Sequence, residues 1–204
     1  EPRRLTRSGS ELRFVSHAQR MLLERAAGVS LAGSRVAPAA LDALEAPSRA
    51  AARRALGVAE SARLVLIVAR LVPGKRISTA LAAVSLLPGV DVVVVGGGPL
   101  LRELTRRFPA LRFTGQLTHP ATLCWIAAAD VLLSASRTEG APTAVREARA
   151  LGVPVVAVDA GDLLAWAETD PGLWVAPASN PSGCRRPTAD GATAGAASVR
   201  RAAE

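Results

Sequence analysis

Two glutamates, Glu139 and Glu147, flank the short run Gly140-Ala141-Pro142-Thr143 inside RTEGAPTAVREARALGVPVV (137–156). Gly140 lets the backbone come close to a ligand, because it has no Cβ. Pro142 at a helix start gives up a donor that would be unpaired anyway. The amides of Ala141, Thr143 and Ala144 would then face outward at the positive end of a helix dipole, which suits an anion such as a diphosphate. A carboxylate inside that helix, Glu147, can accept two hydroxyl hydrogen bonds from a ribose, since it offers several lone pairs. A carboxylate in the loop, Glu139, can hold hydroxyls of a sugar. Each acid also has a plainer reading. Glu139 fits an exposed loop acid, and Glu147 fits a helix-surface acid paired with Arg146 or Arg149, as exposed helix charges usually are. The Gly-Pro run between them, at the end of an apolar strand, favours the ligand-binding reading.

A second segment supplies the opposite charge. In ARLVPGKRIS (69–78) an apolar run ends at Arg70, a Pro-Gly turn follows, and Lys75 is the only lysine in the chain. A guanidinium fork and an ammonium point charge are what a diphosphate needs for compensation. A third segment, VVVVGGGPLLREL (92–104), places three glycines after a strand. It is not G-x-G-x-x-G, because Leu100 and Leu101 stand where a third spaced glycine would be needed. Gly97 and Gly98 fit a tight turn beside a nucleotide pocket, or equally a loop that needs positive φ.

Other candidates carry less. His119 precedes Pro120 at a helix start and reads as a cap or surface group rather than a base. Cys124 and Trp125 lie on an apolar helix and read as core, and Asp130 before VLLS reads as a capping or loop-orienting acid. Two cysteines and two histidines without ligand spacing argue against a disulfide scaffold and against a zinc site. The G-x-S-x-G, P-loop and H-E-x-x-H patterns are not found.

The elements that must position these residues follow from the apolar pattern. Strand-like runs at 63–71, 91–98, 111–115, 130–136, 153–161 and 172–177 alternate with helix-like runs at 48–58, 78–87, 99–108, 119–129, 142–152 and 162–168. The strand runs are continuously apolar, without the alternation of a half-exposed antiparallel sheet. This predicts an α/β fold, a Rossmann-like parallel sheet with helices on both faces. Ligands bind such sheets at the carboxyl ends of the strands, so function is expected in the loops after residues 69, 95, 134 and 158. Upstream, Leu12, Phe14 and Val15 suggest a short strand, and Ser16 caps a helix stopped by Gly28. Residues 34–47 form a connector with two prolines, 1–13 a frayed lead-in, and the Ala/Gly/Ser-rich 178–204 a weakly ordered tail.

Composition narrows the partners. The chain has 204 residues, half of them hydrophobic, which is enough for a sizeable core. The longest apolar runs are too short to span a bilayer. The net charge of +8 is nearly all arginine, scattered over several predicted helices. With no tyrosine, three Phe and three Trp, no stacking platform for single-stranded nucleic acid can be assembled. The reading is no nucleic-acid partner: solvated arginines, plus a few that hold an anionic small molecule.

Taken in order, the motifs resemble the donor-binding half of a retaining glycosyltransferase of family 4, with the GT-B fold. ARLVPGK resembles the family's G-R-L-x-x-x-K, and VVVVGGGPLLREL resembles V-G-x-G-P-x-x-x-x-L. The run from RFTG through AADVLLSASRTEG to EARALGVPVVA resembles the family's E-x7-E region and its ending. The resemblance covers about residues 35–177. RFVSHAQRMLLERAAGV resembles the last strand and helix of the amino-terminal domain, and RVAPAALD the linker. It implies a remnant of the acceptor domain at 1–34, a linker at 35–47, a nucleotide-sugar domain at 48–177 and a tail at 178–204. Arg70 and Lys75 would bind the donor diphosphate, Glu147 the ribose and Glu139 the transferred sugar. Gly97, Gly98, Gly140, Ala141, Pro142 and Thr143 would line the donor, and the amides after Gly140 would stabilise the leaving nucleoside diphosphate. By the same resemblance the donor would be a nucleotide-diphosphate sugar, with no metal or other cofactor, and the acceptor an unidentified sugar, lipid or small molecule. The implied setting is the cytoplasm, with peripheral association at the inner face of the membrane. Without most of the amino-terminal domain, weak nucleotide binding and little transfer are expected. The chain departs from the pattern at Ala39 and Ala40, where the linker usually has Asn and Gly, and at DAGDLLAW (159–166), where many members carry G-G-x-x-E. Competing readings are a non-catalytic module that binds a nucleotide or a partner protein, and a sugar-nucleotide epimerase of the same fold.

Overall fold

The computed structural model describes residues 11–41 and 43–176. The expectations for the lead-in before residue 11 and for the tail lie outside the described residues. The first unit is small. Strand β1 (Arg13–Phe14) pairs in parallel with β2 (Arg35–Val36) around helix α1 (His17–Ala27). The β2 strand lies in the stretch expected to be only a connector. Ser16 caps α1 by accepting from the Gln19 amide at 3.1 Å, and Gly28 ends it with φ 62. Both signals were readable, since a hydroxyl serves a first-turn amide and glycine tolerates the left-handed turn.

The rest of the described chain alternates helix and strand. Helix α2 (Arg49–Leu56) is followed by β3 (Leu64–Val68), a single 3-10 turn at Pro73–Lys75, α3 (Ile77–Val84), β4 (Asp91–Val95), α4 (Leu101–Arg107) and β5 (Arg112–Gly115). Then come α5 (His119–Ala128), β6 (Val131–Ser134), α6 (Thr143–Ala150), β7 (Val155–Val158), α7 (Leu163–Ala167) and β8 (Leu173–Ala176). All pairings are parallel and the strand order is β5-β4-β3-β6-β7-β8. This is the doubly wound order, in which the chain runs outward from β3 to one edge, returns to β6, and runs to the other edge.

Side chains of successive strand residues point to opposite faces, so each apolar strand feeds two cores. Leu64, Leu66, Val93, Val95 and Leu132 pack against α2, α5, α6 and α7. Val65, Ile67, Val92, Val94 and Val131 pack against α3 and α4. Helices therefore cover both faces, as the unbroken apolar runs predict. Trp125 is buried and Cys124 packs partly buried against the same core, and the Arg112 guanidinium lies 4.7 Å above the Trp125 ring. Two helix starts differ from expectation. Pro99 sits in the turn before α4, which opens at Leu101, and Pro142 is the N-cap of α6 rather than its first residue.

One arginine departs from the solvated reading. Arg53 on α2 is fully buried. Its Nε donates to Ala128 O at 2.9 Å, and its Nη1 to the carbonyls of Ala59, Glu60 and Ala62 at 3.0, 2.8 and 2.9 Å. Its Nη2 donates to Asp130 Oδ2 at 2.7 Å, an oxygen that also accepts from the Leu64 amide, while Arg49 pairs with Oδ1. Burying a guanidinium is tolerable only when its donors are matched in this way. Asp130 thus ties α2 to the amino ends of β3 and β6, a wider role than capping.

Candidate functional site

In a doubly wound sheet the crevice for a ligand opens beyond the carboxyl ends of the two strands where the winding reverses. Here those strands are β3 and β6, which pair side by side. The loop after β3 begins at Ala69, turns at Pro73–Lys75 and passes through Arg76 in the left-handed region at φ 50. The loop after β6 runs from Ala135 to Pro142. The two are stitched together by the Arg137 amide donating to Gly74 O at 3.0 Å.

That stitch brings Lys75 to Glu139. Lys75 Nζ donates to Glu139 Oε1 at 2.5 Å, with 22% and 12% of the two side chains exposed. Glu139 is therefore not the free loop acid of the plainer reading. Arg70, in the loop two residues past β3, is exposed, and its guanidinium has no acceptor among the described residues. Behind Glu139, Pro142 is buried and α6 begins at Thr143. The amides of Ala141, Thr143 and Ala144 have no acceptor among the described residues, as expected for the opening turn of a helix.

The glycine triplet matches the second of its two sequence readings, a loop that needs positive φ. A Cβ on Gly96 would lie 1.9 Å from Ala69 O, and one on Gly98 2.6 Å from Leu71 O. Both have positive φ. The triplet is thus required by the chain's own close approach of the β4 loop to the β3 loop, with Leu71 N donating to Gly97 O at 2.8 Å. A Cβ on Gly97 would meet Gln116 at 3.3 Å. Gly140 is crowded by Gln19 and Val15 of the amino-terminal unit, at 2.4 and 2.7 Å from a built Cβ. Gly140 accordingly makes room for α1 and the residue before its cap.

Glu147 also departs from the plainer reading. It is buried, at 4% exposure, and pairs with neither neighbouring arginine. Arg146 donates to Ala39 O at 2.5 Å, and Arg149 donates to Asp170 at 2.8 and 2.7 Å and to Val153 O at 2.9 Å. Glu147 Oε1 instead meets His119 Nε2 at 2.7 Å. The cap of α5 is Thr118, whose hydroxyl accepts from the Ala121 amide, so His119 is a surface group with a specific partner. Sequence spacing could not reveal this pair. The available signal was that a His-Pro helix start follows β5, on the functional side of the sheet.

A further contact was missed altogether. Asp162, in the turn after β7, accepts from the His17 and Ala18 amides of α1 at 2.7 and 2.8 Å. With Ser16 on Gln19, the first three amides of α1 are matched. Gly161 beside it has φ 66, and a Cβ there would lie 2.6 Å from Glu139 O. The turn after β7, the Glu139 loop and α1 therefore meet at one point.

Among the described residues no three His, Cys, Asp or Glu side chains converge as metal ligands would. No helix among them is long and apolar enough to cross a membrane.

This arrangement defines a Rossmann-type domain with charged groups gathered at its switch point. The family described as Glycosyl transferases group 1 matches residues 62–184, and the chain belongs to that family. The teichuronic acid biosynthesis glycosyltransferase TuaC of Bacillus subtilis is 38% identical over 110 residues, which is 53% of this chain and 28% of the relative. D-inositol 3-phosphate glycosyltransferase of Mycolicibacterium gilvum is 34% identical over 127 residues, 56% of this chain and 28% of the relative. The fold is shared with sucrose-phosphate synthase from Thermosynechococcus elongatus, at TM-score 0.69 and 25% identity, over 82% of this chain and 45% of that one. It is also shared with HepE of Anabaena in complex with UDP-glucose, at TM-score 0.66 and 24% identity, over 76% of this chain and 46% of that one. The chain thus spans under a third of the length of these curated relatives, and the described sheet is one Rossmann-like half of a GT-B fold.

Proposed function

We propose that this chain is the donor-binding half of a hexosyltransferase that takes its sugar from a nucleotide-diphosphate donor and transfers it with retention. The observation that carries the reading is the switch point itself. Lys75 and Glu139 meet there across the β3 and β6 loops, beside the amino end of α6 with its amides unused. On this reading the diphosphate lies between Arg70, Lys75 and the amides of Ala141 and Thr143. Lys75 then exchanges part of its contact with Glu139 for phosphate oxygens, and Glu139 turns to sugar hydroxyls. As the glycosidic bond breaks, negative charge grows on the leaving diphosphate. Fixed cations and helix amides stabilise that charge more than they stabilise the ground state, which is how such a site lowers a barrier. Glu147, buried in the second turn of α6, takes the ribose. Gly97 and Gly98 shape the wall of the pocket, and Gly140 with Pro142 sets the helix start.

The segment up to residue 34 is read as the end of an amino-terminal half that would present the acceptor, joined through 35–47. The site is read as one without a metal and without a nucleic-acid partner. Calorimetric titration of the chain with UDP, GDP and ADP tests the donor assignment. Saturable heat is expected with at least one of them, and Lys75→Ala should weaken it about tenfold or more. No heat with any of the three would overturn the reading. In a longer protein carrying both halves, Glu139→Ala should abolish sugar transfer, and retained transfer would favour a non-catalytic module.

A further inference from the structure

Three acids among the described residues, buried Glu147 and partly buried Asp130 and Asp170, differ in how fully they are matched. Asp130 has three hydrogen-bond partners, from Arg49, Arg53 and the Leu64 amide. Asp170 has both oxygens on Arg149 and a further bond from the Gly172 amide. Glu147 is more deeply buried than either, yet its one partner among the described residues is the imidazole of His119. A carboxylate has about four acceptor positions, and Oε2 of Glu147 has no partner among the described residues yet is not sealed from solvent. The unused capacity sits at the carboxyl end of the sheet, where a hydroxyl-bearing ligand would arrive.

The partner is also unusual. His119 has 59% of its side chain exposed, and Thr118 relieves it of any capping duty. An ionised carboxylate only accepts, so Nε2 carries the proton and donates to Oε1. That bond holds the carboxylate plane of Glu147 from an element separate from its own helix. We propose that His119 is a positioning residue for nucleotide recognition: by donating to Oε1 it locks the Glu147 carboxylate and presents Oε2 to a ribose hydroxyl. The inference rests on the assignment of Glu147 to the ribose. It adds that the selectivity for ribose over deoxyribose is set by a histidine in the first turn of α5, 28 residues from the acid.

The test is the ratio of affinities rather than affinity itself, since a merely structural histidine would leave the ratio unmoved. UDP, GDP and ADP, each beside its 2′-deoxy counterpart, are titrated into the full chain and into His119→Ala, His119→Gln and Glu147→Gln. Thermal unfolding of each variant is followed in parallel. A hydrogen bond to a charged acceptor is worth about a factor of ten or more. The wild-type chain should therefore prefer the ribonucleotide by about tenfold, and Glu147→Gln should lose most of that preference. His119→Ala should lose it as well, with unfolding unchanged. His119→Gln should restore it, because the glutamine amide reaches the place of Nε2 and donates in its stead. If the wild-type chain discriminates and His119→Ala discriminates equally well, the role of His119 is overturned while the ribose assignment stands. If no nucleotide binds, or the wild-type chain is indifferent to the 2′-hydroxyl, the ribose assignment fails and His119 falls with it.

Discussion

At the amino ends of β3 and β6, Arg53 and Asp130 match each other and the backbone around them. At the carboxyl ends of the same two strands, Lys75, Glu139 and Glu147 keep part of their hydrogen-bonding capacity unused. Arg53 is fully buried and bonded to four carbonyls and a carboxylate. Glu147 is nearly as buried and bonded to one exposed imidazole. Both ends sit on the same two strands. A closed cluster at one end holds the sheet and its helices together, and an open cluster at the other leaves charge for a ligand. The difference teaches that burial alone does not separate a structural charge from a functional one. The count of partners does.

Four changes would break or sharpen this contrast. The largest effect is expected from Arg53→Ala. It leaves Asp130 without its main partner and four carbonyls short of a donor, and should cost about 3–5 kcal/mol of stability in denaturant unfolding. Lys75→Ala should lower nucleotide affinity about tenfold or more while changing stability by at most ~1 kcal/mol, as removal of a partly exposed ion pair does. If Lys75→Ala unfolds the protein as readily as Arg53→Ala, the two ends are not different in kind. Asp162→Ala removes the acceptor for two amides of α1 and should cost about 1–2 kcal/mol, the scale of a lost helix cap. Its signature would be faster hydrogen exchange confined to the first turn of α1.

The smallest effect concerns Asp170. The Arg149 guanidinium holds its carboxyl below the usual carboxylate range, opposed by partial burial and helped by the Gly172 amide. A carboxyl whose folded value is depressed contributes stability above its unfolded value, and loses that contribution as pH falls through the folded one. Stability should thus fall on acidification below the ordinary aspartate range. Asp170→Asn should remove that part of the acid dependence and cost roughly 0.5–1 kcal/mol near neutrality. An acid limb unchanged by Asp170→Asn would show that the pair contributes nothing measurable.

Much of the fold was legible because parallel strands buried on both faces must be apolar, as LVLIV is and as DVVVV is after its exposed first residue. The caps Ser16 and Gly28 were legible because capping is settled within a few residues of the helix end. The strand Arg35–Val36 was not, because two residues carry no period. In the site, Lys75 and Glu139 were legible as candidates from strand-loop-helix spacing, though not as partners. The glycine triplet was legible as a tight place. What crowds it, the backbone of Ala69 and Leu71, depends on the neighbouring strand.

By itself the amino-acid sequence determined the α/β alternation, the helix boundaries set by caps, and the loops that carry ligand-suited residues. These depend on periodicity and on contacts within a few residues, which a linear pattern records. Only the tertiary structure decided that Arg53 is inside, that Asp162 holds the start of α1, and that Glu147 answers to His119 rather than to Arg146 or Arg149. Each of those is an electrostatic match between segments remote along the chain. Their strength depends on distance and burial, and neither exists until the sheet has brought the loops together.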